Sequence, residues 1–178
     1  MTAEIYSIGY GNRSLETVID QLKRANVEYV IDVRSSPFSK FSPDFSKDIL
    51  ESNLSQRGMK YVFMGDQLGG RPKSDDCYSD GKADYSKIAE KGFFKKGIAR
   101  LKSAYNQNLR ICLLCSEGAP SQCHRAKLIA VALDDAGIRV THILPDGSYQ
   151  SQDSVIASLT NGQADMFGDS FTSRKSYR

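Results

Sequence analysis

The sequence has no apolar run long enough to cross a bilayer, and its opening residues, MTAEIYSIGY, carry neither a basic leading segment nor a hydrophobic signal core. A cytoplasmic chain is therefore expected. Cysteine is sparse: Cys77, Cys112, Cys115 and Cys123 are the four in 178 residues. Without a signal segment they argue for reduced thiols rather than a disulfide framework. Neither sign of charge dominates, since 24 Lys and Arg face 21 Asp and Glu for a net charge of +3. That balance permits a phosphate-bearing partner without demanding one. No internal repeat is present. A Walker phosphate loop is also missing, because Leu68-Gly69-Gly70-Arg71-Pro72-Lys73 lacks the Lys-Ser/Thr ending and the helix that should follow. Cys112 and Cys115 do not read as a zinc knuckle either. They stand three apart on an expected strand, so their side chains leave on opposite faces. No metal ligand set and no cofactor is assigned.

What remains is an ordinary globular composition, 40% hydrophobic and 25% charged. The length suits one domain over residues 1–149 with an appendage over 150–178. The chain is organised around residues 109–137. Leu109 to Leu114 is a nearly continuous apolar run without turn residues, as a strand buried on both faces should be. Cys115-Ser116-Glu117-Gly118-Ala119-Pro120 is small, polar and broken by Gly and Pro, and Ser121 stands where a helix cap should stand. Ala126, Ile129, Ala130 and Leu133 then repeat at helical spacing up to Gly137. This order puts Cys115 and Glu117 at the carboxyl end of a strand, and Cys123, His124 and Arg125 in the first helical turn. Open α/β sheets bind ligands there, and a helix start with Arg125 favours anions and thiolates.

Other units repeat the theme. Glu4 to Ile8 reads as a strand, Gly9-Tyr10-Gly11-Asn12 as a turn, and Ser14 as the cap of a helix faced by Leu15, Val18, Ile19 and Leu22. Val27 to Val33 is a second strand ending in Asp32-Val33-Arg34, which would lie on the same carboxyl edge. A loop from Ser35 to Asp44 follows, then a helix from Phe45 to Gly58 faced by Ile49, Leu50 and Leu54, and a strand from Lys60 to Met64. Gly65 to Lys82 is expected as a long loop. Its Gly69 and Gly70 would let the backbone approach a ligand, and Arg71 would meet phosphate. Ala83 to Asn106 reads as helix broken near Gly92, and Arg139 to Leu144 as a last strand before Pro145-Asp146-Gly147 turns the chain out of the sheet. The alternation predicts an α/β fold: a three-layer, mostly parallel open sheet with crossover helices. A short helix is expected over residues 154–159, and a mobile polar tail beyond it.

Four ordered motifs, SIGYGNRSLE, IDVRSSPFSKFSPDF, LGGRP and LLCSEGAPSQCHR, resemble a bacterial and archaeal family known as domain of unknown function 488. The resemblance covers roughly the first 145 residues and implies an α/β fold with a shared pocket, but no established activity. It carries over to Gly9, Asn12, Asp32, Arg34, Pro37, Gly69, Gly70, Arg71, Cys115, Glu117, Cys123, His124 and Arg125.

Three functional readings compete. In the first, an enzyme of nucleic acid or nucleotides holds phosphate with Arg34, Arg71 and Arg125, aided by Asn12, Gly69, Gly70, Cys123 and His124, while Asp32 or Glu117 serves as acid or base. In the second, a rhodanese-like or phosphatase-like enzyme uses Cys115 as nucleophile. That reading is weakened because the closing Arg of such loops comes about six residues after the Cys, and position 121 is Ser. In the third, the residues form a non-catalytic module that binds an anion or a partner. Finally, Gln163-Ala164-Asp165-Met166-Phe167 resembles the pentapeptide with which bacterial polymerases and repair proteins engage the sliding clamp. Gln163, Met166 and Phe167 would be its contacts, tying the chain to DNA replication or repair.

Overall fold

A computed structural model describes residues 4–162 and 171–178. Its centre is a six-stranded sheet. β1 (Ile5–Gly9), β2 (Tyr29–Asp32), β3 (Lys60–Phe63), β6 (Ile111–Cys115) and β7 (Val140–Ile143) run parallel, and β8 (Tyr149–Ser151) is an antiparallel edge, in the order β3-β2-β6-β1-β7-β8. Two short strands, β4 (Tyr78–Ser79) and β5 (Lys82–Asp84), join β9 (Thr172–Ser176) in a second, antiparallel sheet.

β6 is buried along its whole length and alternates between two cores. Ile111, Leu113 and Cys115 enter one with Phe94, Leu101, Ile129 and Leu133, while Cys112 and Leu114 enter the other with Val18, Leu22, Leu50 and Leu54. A helix pair therefore covers each face. α1 (Leu15–Arg24) and α2 (Lys47–Gln56) lie on one side. α5 (Gly92–Asn106) lies on the other, with the helix that follows β6. Ser14 caps α1 by accepting the Thr17 amide at 3.2 Å. Because the helices after β1 and β6 leave on opposite faces, a crevice opens between the carboxyl ends of these adjacent strands.

Several sequence expectations change in detail. α2 starts at Lys47, after a 3₁₀ turn at Pro43–Phe45, and Ile49 is 43% exposed rather than part of its buried face. The stretch 65–82 is not a bare loop: it holds α3 (Gly65–Leu68), a 3₁₀ turn at Asp75–Cys77 and the β4/β5 hairpin. The helical stretch expected from Ala83 begins only after Asp84, which ends β5 and caps α4 (Tyr85–Ala89) by accepting the Ser86 and Lys87 amides. Pro145-Asp146-Gly147 does not lead out of the sheet. Asp146 accepts the Ser148 amide, Gly147 adopts φ 84°, and Leu144 bonds Ser148, so the chain returns as β8. Ser121 caps nothing, being inside a 3₁₀ turn at Pro120–Gln122. The following helix winds as a π-helix over Arg125–Ala130 before α6 (Val131–Asp134). Residues 152–160 form α7 (Gln152–Thr160), and residues 172–176 are the strand β9, where composition suggests a mobile tail. No helix among the described residues is long and apolar enough to cross a membrane.

Candidate functional site

At the carboxyl ends of β1, β2 and β6 the structure encloses a cavity of about 300 Å³. Its wall takes Tyr10 from the turn after β1, Arg34 after β2, Gly70 and Arg71 after α3, and Cys115 and Glu117 at and after the end of β6. Cys123 and His124 come from the start of the next helix. β9 adds Arg174 and Lys175, and Tyr177 follows it. Among the described residues, four cations, Arg34, Arg71, Arg174 and Lys175, thus face one carboxylate, Glu117.

Asp32 stands behind this wall. It is fully buried and grips Arg34 twice, through Nε at 2.9 Å and Nη2 at 2.6 Å, while also accepting the Arg34 amide at 3.1 Å and the Tyr61 hydroxyl at 2.7 Å. A carboxylate with this many donors aims Arg34 and has no free lone pair for acid-base work. Burial alone would pull the Arg34 guanidinium down, but the hydrogen bonds and charge of Asp32 outweigh it and hold it above its ordinary value. Arg34 leans on Tyr10, whose ring stacks on Phe45 with centroids 4.0 Å apart.

Arg125 does something other than bind the cavity's contents. Its buried guanidinium donates to Ser7 Oγ at 3.1 Å, Glu117 O at 2.6 Å and Gly118 O at 3.0 Å, clamping the loop after β6 from inside. Ser7 in turn bonds His142 Nδ1 at 2.6 Å, His142 Nε2 meets Gln152 Oε1 at 2.7 Å, and Gln152 donates to Ala126 O at 2.9 Å. The chain has one consistent proton assignment. Gln152 Nε2 is the donor to a carbonyl, so Oε1 accepts from His142 Nε2, leaving Nδ1 to accept from Ser7. Burial, with the charge of Arg125 adding to it, pushes His142 down to about 4 despite the Gln152 bond.

The cavity floor is a sulfur and imidazole cluster. Cys115 Sγ lies 3.9 Å and Cys123 Sγ 3.7 Å from His124 Nδ1, and all three ligand atoms fall within 4.8 Å of one another. His124 Nε2 sits 3.0 Å from Val33 O, a pure acceptor, so Nε2 donates there and Nδ1 is turned towards the two sulfurs. Burial raises both thiols, but the Cys115 hydrogen bond and the charge of Arg125 hold Cys123 below the usual thiol range. Cys115, donating to Cys123, is held above it. Gly70 contributes by having no side chain, since a Cβ there would lie 2.7 Å from His124 Cγ. Gly69 packs against Ser35 and Gly65 rather than facing the cavity. Arg71 is positioned by its backbone N–H, which donates to Ser35 Oγ at 2.9 Å, and by its guanidinium over the Tyr177 ring.

Asn12 lies in an adjoining groove with Phe41, Ser42 and Pro145, which shares Tyr10, Ser116, Glu117, Arg174 and Lys175 with the cavity. Glu117 meets Arg174 Nη2 at 3.4 Å through both oxygens. The clamp-like residues Gln163, Met166 and Phe167 lie outside the described residues. Sequence reasoning missed Tyr10, Arg174, Lys175 and Tyr177 as wall residues. For Arg174 and Lys175 the only available signal was the Arg-Lys pair itself, in a segment whose composition looks unstructured.

A family model described as "Domain of unknown function DUF488" matches residues 14–132. No curated protein and no solved structure matches the chain.

Proposed function

The chain belongs to the DUF488 family, and from the site this member builds we propose that it is an enzyme acting on a nucleic-acid strand or nucleotide. The observation that carries this reading is two exposed aromatics beside a cation-walled cavity. Phe38 is 67% and Phe41 99% exposed. Phe38 lines the cavity itself and Phe41 the adjoining groove, both close to wall residues that include Arg174 and Lys175. Alternating aromatic faces and basic groups suit a strand, because bases stack on rings while phosphates meet cations. In this reading Arg71, Arg174 and Lys175 take phosphate, Phe38 and Phe41 take bases, and the reacting group reaches Cys115, Cys123, His124 and Glu117. Asp32 is a positioning residue for Arg34.

A thiol-nucleophile reading with Cys115 fits the geometry less well. The loop after Cys115 turns the carbonyls of Glu117 and Gly118 onto Arg125, and of its amides that of Glu117 reaches the sulfur. The thiol held low is Cys123, not Cys115. The clamp-like pentapeptide, between α7 and β9 in sequence, agrees with a role in DNA replication or repair.

The test is binding of single-stranded DNA and RNA oligonucleotides, measured by fluorescence anisotropy across a salt series. Phe41→Ala should weaken binding by about 1–3 kcal/mol, the range for one stacked base. Arg174→Ala should lower the salt dependence by about one phosphate contact. Oligonucleotides that fail to bind at low salt, or a Phe41→Ala protein that binds them as tightly as the parent, would remove the nucleic-acid reading.

A further inference from the structure

We infer that Cys115, Cys123 and His124 form a zinc site with an open fourth position facing the cavity. This goes beyond the reading above and does not rest on it, since the ligands are in place whatever strand or anion enters. Zinc held tetrahedrally by sulfur at about 2.3 Å and nitrogen at about 2.0 Å has S···N edges of about 3.5 Å. The observed separations, 3.9 Å for Cys115 and 3.7 Å for Cys123 to His124 Nδ1, are within a few tenths of an ångström of that edge. The two sulfurs and the nitrogen, all within 4.8 Å of one another, are thus gathered as three ligands of one metal ion would be.

The orientation of the imidazole is the one a metal needs. Val33 O accepts a hydrogen bond from His124 Nε2 and so turns Nδ1 towards the two sulfurs. A backbone carbonyl holding the far nitrogen is a common outer partner of a metal-bound histidine. A metal ion between them would engage Cys115 Sγ, Cys123 Sγ and His124 Nδ1 at once. Gly70 keeps the approach clear, because a Cβ at that position would come within 2.9 Å of Nδ1 itself. Cys112 takes no part: it enters the opposite core, as its place three residues before Cys115 on a strand requires.

All three ligands line the cavity. A structural zinc site closes its fourth position with protein, whereas three protein ligands with a solvent-facing fourth position characterise a catalytic one. The fourth position would accept water or an oxygen of the bound ligand, on the wall that also carries Glu117 and Arg174.

The experiment uses the full chain, purified reduced without chelator. Elemental analysis should find one zinc per chain, and competition with a chromophoric chelator should give a dissociation constant below about 1 μM. Cobalt exchanged into the unaltered protein should show thiolate-to-cobalt charge transfer and the intense visible bands of a tetrahedral centre. Cys115→Ser, Cys123→Ser and His124→Ala should each weaken zinc by more than about 100-fold, the upper range for losing a mere outer-shell partner. Cys77→Ser and Cys112→Ser should bind zinc as the parent does. A reduced parent protein that takes up neither zinc nor cobalt, or a cobalt spectrum without a thiolate band, overturns the proposal, and both results stand even if a ligand variant fails to fold. Oligonucleotide binding is read separately, so a metal-free protein that still binds strands would sink the zinc site alone.

Discussion

Asp32 and Arg125 are both buried ions, and their partners give them different work. Asp32 sits opposite Arg34 at 2.6 Å with both side chains almost wholly enclosed, so removing its charge leaves a buried guanidinium unpaired. Asp32→Asn should cost about 3–5 kcal/mol in urea unfolding, the range for breaking a buried pair from one side. Tyr61→Phe, which removes one donor to the same carboxylate, should cost only about 1 kcal/mol. Arg125 has no carboxylate partner among the described residues; burial, with the positive charge of Arg125 adding to it, keeps His142 neutral against the Gln152 hydrogen bond and the charge of Cys123, which favour the proton. His142 has a folded pKa of about 4, against about 6.5 for an unperturbed side chain. The unfolded chain therefore takes up this proton first. Stability from neutral His142 is complete above about pH 6.5 and falls by up to about 3 kcal/mol as the pH drops towards 4. Urea titrations at several pH values should show that acid limb, and His142→Gln should flatten it.

At the scale of elements, the helix after β6 carries an identifiable distortion. Gln152 Nε2 donates to Ala126 O within the π-wound turns, and a side chain inserted into a helical ladder is a recognised cause of such widening. Gln152→Leu would leave His142 Nε2 and that carbonyl without their partner and should cost about 1–3 kcal/mol on thermal or urea unfolding. β9 has the opposite character: among the described residues it pairs with β5 alone, and it supplies cavity wall. A chain ended before Phe171 should keep cooperative unfolding and its helical circular dichroism, yet lose oligonucleotide affinity with Arg174, Lys175 and Tyr177. Sequence pattern reached the buried strands and α1 because their apolar spacing and the Ser14 cap are local signals. It did not reach β9, whose residues Thr172–Ser176 carry hydroxyls and charge and meet β5 through backbone pairs and the Ser173 hydroxyl, which accepts the Ala83 amide. The helix start after β6 was misplaced for a similar reason. Ser121 has the right chemistry for a cap, but Pro120 sets a 3₁₀ turn that delays the helix to His124.

For the whole molecule, alternating strands and helices in the sequence foretold a mostly parallel sheet but not its order, because strand order depends on which face each crossover takes. The same holds for the site. Asp32, Arg34, Arg71, Cys115, Glu117 and the Cys123-His124-Arg125 run were all visible as chemistry, yet only the tertiary structure separates those that face the cavity from Asp32 and Arg125, which brace it from behind. The cavity also joins residues from distant parts of the chain, from Tyr10 to Tyr177. On the ribosome the six-stranded sheet is complete in sequence by Ser151, while Arg174 and Lys175 emerge later. At about 5–20 residues per second that lag is a matter of seconds. The floor of the cavity, Cys115, Cys123 and His124, is thus synthesised before Arg174, Lys175 and Tyr177 of its rim.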